Sequence, residues 1–251
     1  MKSFTKLFFF ILITTYFLTI NNIVAAELID LSKFEDETLG KHLIYFQEKD
    51  GEKLSIEQAI NYFNEKESIQ GTSNSISLGL ATEPVWLKIS VNNPNLEKVA
   101  YRLSIETPWL DYIDTWLVKN NQVEAKYSGG DAVPYDQRPM QYRFYAFEHN
   151  YELGNTDVYI RIETLGPMAI PIRFSIIPAA IERDISAGYQ YGILYGVLFA
   201  LALYNLLLFF MISQKEYGLY SLYLIGFIAN SLSYTGQIHT VFTADYGVHF
   251  Q

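Results

Sequence analysis

Within residues 109–116 the aromatic side chains Trp109, Tyr112 and Trp116 are interleaved with the carboxylates Asp111 and Asp114. A flat aromatic face can stack on a pyranose ring while carboxylates accept hydrogen bonds from its hydroxyls, so this segment carries the residue types of a sugar-binding surface. An aromatic on a strand of a sandwich more often belongs to the core, and Trp86 is assigned there. Trp109 follows Pro108, which favours a strand edge and leaves its ring open to a ligand. Downstream, Asp131 and Arg138 flank a loop containing Pro134, Tyr135 and Pro139. The Arg138 guanidinium can grip an anionic or polyhydroxy ligand together with Asp131, or it can pair with Asp131 and brace the loop; the brace is the preferred reading. The ligand-binding candidates are Trp109, Asp111, Tyr112, Asp131 and Arg138.

Other chemistries find less support. A glycoside hydrolase needs two carboxyl groups about 5–10 Å apart, but 27 acidic residues make some such pair inevitable. The spacings G-x-S-x-G, H-E-x-x-H and the P-loop do not occur, so the corresponding hydrolase and nucleotide-binding grammars receive no support. With no cysteine and four scattered histidines, no familiar zinc pattern arises and no metal or cofactor is expected. The formal charge of −9 argues against nucleic acid as a partner, because neutralising phosphates requires clustered Lys and Arg.

The segment that must position these residues has a period of two. Val85, Leu87, Ile89 and Val91 alternate with Trp86, Lys88, Ser90 and Asn92, and comparable runs cover 100–105, 113–118, 142–147, 158–164 and 170–177. Turn formers separate them at Asn92-Asn93-Pro94-Asn95, Asn120-Asn121, Gly129-Gly130-Asp131 and Gly166-Pro167. Short β-branched and aromatic strands at such spacing predict an all-β antiparallel sandwich or jelly roll. Ahead of it, 32–70 reads as one or two strands and a helix, with Ser55 as N-cap and Gln58 placed to close a capping box.

Hydrophobic segments flank this domain. Lys2 and Lys6, an apolar run over 7–20 and Val24-Ala25-Ala26 form a secretory leader expected over 1–26. Its removal would take the formal charge from −9 to −11, and a cysteine-free exported domain over 27–183 must fold by core burial alone. Two uncharged stretches, 188–212 and 217–234, would be helices of about 37 Å and about 27 Å, against a hydrocarbon core of about 30 Å. Both are expected to span a membrane, the second continuing to residue 236, with the 213–216 loop inside and an exported-side tail over 237–251. Gly188, Gly192, Gly196 and Ala200 recur every four residues and predict an interhelical or homodimeric contact. Asn205 and Asn230 lie inside the spans, where an unpaired amide is costly, so each is expected to bond to a neighbouring helix.

The strings Val85-Trp86-Leu87-Lys88-Ile89-Ser90-Val91-Asn92-Asn93-Pro94, Tyr101-Arg102-Leu103-Ser104-Ile105, Pro108-Trp109-Leu110-Asp111-Tyr112-Ile113-Asp114, Gly130-Asp131, Arg138-Pro139 and Tyr159-Ile160-Arg161-Ile162-Glu163-Thr164 occur in this order before two apolar stretches. Together they resemble the extracellular sensor domain of bacterial seven-transmembrane receptors with diverse intracellular signalling modules (7TMR-DISM). Tyr204-Asn205 and Tyr217 to Tyr223 are similar to the start of that family's membrane region. The resemblance covers roughly 30–245. It implies a periplasmic jelly-roll domain similar to carbohydrate-binding modules, seven helices, and a cytoplasmic output such as a diguanylate cyclase or histidine kinase. The sequence ends shortly after the second stretch, so an N-terminal fragment is expected.

The leading expectation is therefore a non-catalytic sensor of a small solute or carbohydrate, carried on an inner membrane with its β domain in the periplasm. A protein–protein interaction module is the alternative, followed by a membrane-anchored glycoside hydrolase.

Overall fold

The computed structural model describes residues 26–238 except 50, 67 and 81. The expected leader lies outside them apart from Ala26, as does the tail beyond residue 238. A mostly β domain precedes two long helices. One sheet contains β1 (Leu28–Asp30), β3 (Ile44–Gln47), β4 (Ile69–Gln70), β6 (Val85–Asn93), β8 (Tyr112–Lys119), β9 (Gln122–Gly129) and β11 (Gly154–Glu163). Its order is β4-β3-β6-β11-β8-β9, with β1 pairing in parallel to the second half of β6. The other sheet has the order β10-β7-β13-β2, from β2 (Asp36–Thr38), β7 (Val99–Ile105), β10 (Tyr145–Tyr151) and β13 (Ile172–Ile176). A short ladder joins β5 (Ile76–Leu80) to β12 (Pro167–Ile170).

Alternation in sequence sorts the side chains between faces. Val85, Leu87, Ile89 and Val91 point inward from β6 to meet Leu103 and Ile105 of β7 and Phe174 of β13 in one buried cluster. The structure divides the expected 170–177 run into β12 and β13 at Pro171, which lacks the N–H that a ladder requires. It also reveals β9, in which Val123, Ala125 and Tyr127 alternate with Glu124, Lys126 and Ser128, and Ala125 and Tyr127 pack on the core. The β8–β9 turn places Asn120 and Asn121 at φ 51° and 62°, the left-handed geometry that suits a two-residue hairpin.

The outer face of the larger sheet is partly covered by α1 (Ile56–Glu65), which starts at a complete Ser55–Gln58 capping box. Its Ala59 and Phe63 pack with Ile44, Phe46, Tyr159 and Trp86. Trp86 is buried, as expected, but beneath α1 rather than between the sheets. Its indole donates to Glu48 Oε1 at 2.7 Å. Arg161 grips the same carboxylate with two hydrogen bonds of 2.9 Å, and the Leu54 backbone N–H adds one of 3.3 Å. Burial alone would raise the Glu48 pKa; the donors, led by Arg161, outweigh it and hold the carboxyl below its ordinary value.

Two helices follow, α2 (Ile177–Ile212) and α3 (Lys215–Tyr234), parted by Ser213 in the left-handed region. They run antiparallel: Ser221 donates to the Ala202 carbonyl at 2.9 Å, and the Tyr195 and Thr235 hydroxyls lie 3.3 Å apart. Among the described residues α2 is the one helix long and apolar enough to cross a membrane by length and composition. It begins well before the expected 188–212 stretch, because Pro178 occupies a favourable first-turn position and the polar segment through Ser186 is helical too.

Replacing Glu48 by Ala leaves the Trp86 indole and Leu54 N–H without their acceptor and Arg161 with Glu163 alone. A loss of about 3–5 kcal/mol is expected, read as an earlier denaturation midpoint of the whole chain in detergent. His149 provides a pH test. Its Nδ1 lies 3.2 Å from the Tyr127 hydroxyl, while Nε2 is buried with no hydrogen-bond partner among the described residues. Burial chiefly lowers its pKa, against an upward pull from Glu124 and Glu152 and with Lys119 and Lys98 adding to the fall. The unfolded chain therefore takes up this proton first, so the stability His149 contributes is complete above about pH 6.5 and declines as pH falls from there through its lower folded value. Melting curves between pH 7.5 and 5.5 should show that decline, and His149→Gln should flatten it.

Candidate functional site

The smaller sheet turns a row of polar groups away from the core. Its register sets Glu148 opposite Arg102, Arg102 opposite Ser175, and Ser175 opposite Asp36, so the row crosses all four strands. The first turns of α2 lie on this row. Arg102 donates to Glu148 Oε1 at 2.8 Å and to Asp184 Oδ2 at 2.5 Å, and Tyr142 donates to Asp184 Oδ1 at 2.6 Å. Arg183 donates to Asp36 Oδ1 at 2.6 Å and to the Ser175 hydroxyl at 3.0 Å. Glu106 stands 3.3 Å from Arg173 and 3.8 Å from Arg183. Opposite charges on adjacent helix positions, Arg183 and Asp184, thus engage opposite charges on the sheet.

These groups are held in their charged or donating forms. Burial would lower the Arg102 pKa, but hydrogen bonds to Glu148 and Asp184 outweigh it and raise the value. Burial would raise Asp36, yet Ser175 and Arg183 bring it below the ordinary carboxylate range. The Tyr142 hydroxyl is pushed up to about 12 by burial and by Asp184, so it remains a donor. An open depression of about 400 Å³ borders this clasp, lined by Asp36, Glu182, Arg183, Ser186 and Gln190 among others.

A second contact lies farther along the hairpin. The Trp109 ring packs against Tyr234 at 5.1 Å, and the Arg143 guanidinium lies 5.4 Å over the Tyr191 ring. Gly236, at φ +70°, passes so close to the Arg143 carbonyl that an added Cβ would sit 2.5 Å from it. The β domain therefore meets the hairpin at the Tyr191–Tyr195 level of α2 and at the end of α3.

The sequence-derived ligand candidates fall into separate places. Trp109 donates its indole N–H to the Pro167 carbonyl at 2.9 Å, and Asp111 accepts the Leu165 backbone N–H at 2.9 Å. Both hold the 164–167 loop. Arg138 is buried, donates to the Val133 carbonyl at 3.2 Å and lies 3.7 Å from an Asp131 carboxylate oxygen, which is the bracing geometry. Tyr112 points outward from β8 together with Asp114 and Trp116. Across the ladders they adjoin Glu163, Arg161, Ser128 and Lys126. This half of the larger sheet, beyond α1, turns Tyr112, Asp114, Glu163 and Lys126 toward solvent, while Arg161 is buried and the half-buried Trp116 stacks on Trp86 at 5.2 Å. Tyr112 is exposed, and Lys126 lies 5.1 Å over the Trp116 ring.

In α2, a Cβ added at Gly188, Gly192 or Gly196 would meet nothing, so α3 does not cover that face. Asn205 donates to the Leu201 carbonyl of its own helix at 2.8 Å, whereas a bond to a neighbouring helix was expected; Asn230 is exposed on α3. The clasp residues Asp36, Arg102, Tyr142, Glu148, Arg183 and Asp184 escaped sequence reasoning. Their signal was present in the Arg102, Ser104 and Glu106 alternation that runs along β7 and one residue past it, and in the charged triplet Glu182-Arg183-Asp184 ahead of a long apolar run.

Residues 40–175 match the family described as 7TMR-DISM extracellular 2, and residues 188–251 match 7TM diverse intracellular signalling. The chain belongs to the 7TMR-DISM family. The family's membrane association and its extracellular sensing role apply to this member. Residues 176–187, including Arg183 and Asp184 of the clasp, fall between the two matched segments. A comparison with curated proteins gave no match. Among solved structures, a β-glucuronidase from an uncultured Clostridium sp. aligns at 10% identity and TM-score 0.29, over 53% of this chain and 27% of that one. A putative β-galactosidase from Bacteroides fragilis aligns at 9% identity and TM-score 0.31, over 56% and 23%. A family 6 carbohydrate-binding module aligns at 9% identity and TM-score 0.23, over 42% and 84%. The 7TMR-DISM chain thus spans about a quarter of the length of the first two.

Asp184→Ala should loosen the clasp without unfolding the β domain, because Arg102 keeps Glu148. Asp184 retains some solvent contact, so the loss is expected at about 1–2 kcal/mol. Hydrogen–deuterium exchange should accelerate in 177–187 and stay unchanged in β6 and β11.

Proposed function

We propose that this chain is the ligand-sensing and signal-transducing part of a bacterial inner-membrane receptor. In this reading the leader over 1–26 is removed, the domain over 27–183 is a periplasmic sandwich of the jelly-roll type, and both α2 and α3 cross the membrane. The observation that carries it is the ionic clasp: a sensor sheet grips the start of a membrane helix through Arg102–Asp184 and Asp36–Arg183. A shift of that sheet relative to the helix must break or remake these pairs. A ligand that favours one arrangement over the other therefore biases the helix by its difference in affinity for the two.

The surface of Tyr112, Asp114, Trp116, Lys126 and Glu163 is the proposed receiving face for a small polyhydroxy solute such as a carbohydrate. The exposed Tyr112 ring suits stacking, and the carboxylates and amine around it suit hydroxyls. It lies on the sheet opposite the clasp, so binding and transmission occupy different sheets of one domain. The free face at Gly188, Gly192 and Gly196 is left for a further helix of the bundle or a second copy of the chain.

The experiment is a solute and glycan screen on the whole chain in lipid nanodiscs. A ligand present at 100 times its Kd should stabilise the folded form by about 2.7 kcal/mol and alter exchange in 177–187. Tyr112→Ala with Trp116→Ala should abolish the stabilisation. With Asp184→Ala, binding should persist while the change in 177–187 is lost. A broad screen at millimolar ligand with no thermal shift would sink direct small-molecule sensing.

A further inference from the structure

The hairpin fixes a level along its own length. From Tyr195, whose hydroxyl meets Thr235, to Ile212, α2 rises about 27 Å, and the 20 residues of α3 rise about 30 Å. That height matches a hydrocarbon core of about 30 Å. The exported end of the hairpin is therefore where water meets lipid, and it is there that Trp109 packs on Tyr234 and Arg143 on Tyr191. Residues 177–190 of α2 run beside the β domain instead of through the bilayer.

Two large apolar side chains project from this end of the β domain. Leu165 is 85% exposed and Leu80 is 69% exposed. Leu80 pairs with Pro167 in the β5–β12 ladder, two residues from Leu165. The loop that presents Leu165 is held from beneath: Asp111 accepts the Leu165 N–H, Trp109 donates to the Pro167 carbonyl, and a Cβ at Gly166 would stand 3.6 Å from the Trp109 ring. Single exposed leucines are common on soluble surfaces. Here two share one ladder end beside a Trp–Tyr pair, at the depth where such amphipathic rings gather in membrane proteins.

We propose that Leu80 and Leu165 dip into the outer surface of the lipid bilayer, so that the β domain is docked on the membrane by its 164–167 loop and the Leu80 end of β5 as well as held by the clasp. The occupant of this surface is lipid, reached by a loop that Trp109 and Asp111 stiffen. The inference rests on the reading that α2 and α3 cross the membrane.

The chain has no cysteine, so a nitroxide can be placed at one position at a time. Leu165→Cys, Leu80→Cys, Val197→Cys on α2 and Leu96→Cys are labelled in the full chain in nanodiscs. Leu96 is 89% exposed in the turn between β6 and β7, away from the Trp109 end. Accessibility to oxygen, which concentrates in lipid, is compared with that to a water-soluble nickel complex. The ratio at 165 and 80 should exceed that at 96 several-fold and approach the one at 197. Aqueous values at 165 and 80 with a lipid value at 197 would overturn the docking and leave the spanning helices intact. An aqueous value at 197 would overturn both. Shielding of 165 from both reagents would also overturn it, by showing a protein contact in place of lipid.

Discussion

Arg102 sets the constraint to which this architecture answers. It lies on the outer face of the smaller sheet, its side chain 5% exposed because α2 lies across it. A cation in that position must be paired, since an uncompensated buried charge costs more than the contact that buries it returns. Glu148 on the neighbouring strand supplies one partner, and Asp184 must supply the other from the helix. That requirement fixes the rotation and height of α2 on the sheet. Once Asp184 is placed, Arg183 reaches Asp36, and the helix arrives at Tyr191 and Tyr195 beside Arg143 and the end of α3. The level at which the hairpin meets the β domain is thus a consequence of ion pairing several turns earlier.

The two sheets solve the problem of their outer faces differently. The larger sheet covers part of its face with α1 and buries Glu48 and Arg161 beside the Trp86 that packs under it, a pair satisfied by Trp86 and the Leu54 backbone. This is a closed arrangement in which every polar group has a fixed partner, and it resists change. The smaller sheet uses partly hydrated pairs, with Asp36, Asp184 and Arg183 each retaining contact with water. Such pairs are weaker, and water can replace a partner during exchange. On the proposed function, a rigid side for the ligand face and an exchangeable side that grips a helix are what transmission within one domain would require.

The fold was legible where one period dominated. The inward residues of β6, β7, β8 and β11 and the capping box at Ser55 follow from alternation and local hydrogen bonding. β9 was missed although Val123, Ala125 and Tyr127 alternate with Glu124, Lys126 and Ser128, because this apolar side is short and only half-buried and its pairing depends on the positive φ angles at Asn120 and Asn121. The candidate site was less legible still. Trp109, Asp111, Tyr112, Asp131 and Arg138 have the right chemistry, but three different structural tasks: holding one loop, bracing another and facing outward from β8. Composition cannot separate these, because each depends on which backbone carbonyl or strand happens to lie opposite. The clasp was missed for a related reason. Its members are scattered from Asp36 to Asp184, and only strand register brings them into one row.

The length of α2 joins these points. At 36 residues it rises about 54 Å, far more than a bilayer of about 30 Å needs. Had the chain entered the membrane at Ile177, the Glu182-Arg183-Asp184 triplet would lie in hydrocarbon, where each charge is costly. Docked on the smaller sheet, the triplet lies outside, and the same charges that would oppose insertion specify the attachment. The excess length is then no mismatch to be relieved by tilting. In the proposed receptor it is a lever that begins on the sensor and ends in the bilayer without a break in its backbone hydrogen bonding, so that a displacement imposed at Asp184 would reach Tyr195 through helix rather than loop. A flexible linker between the two regions would dissipate that displacement, whereas a continuous helix hands it to α3 through Tyr195–Thr235 and Ala202–Ser221.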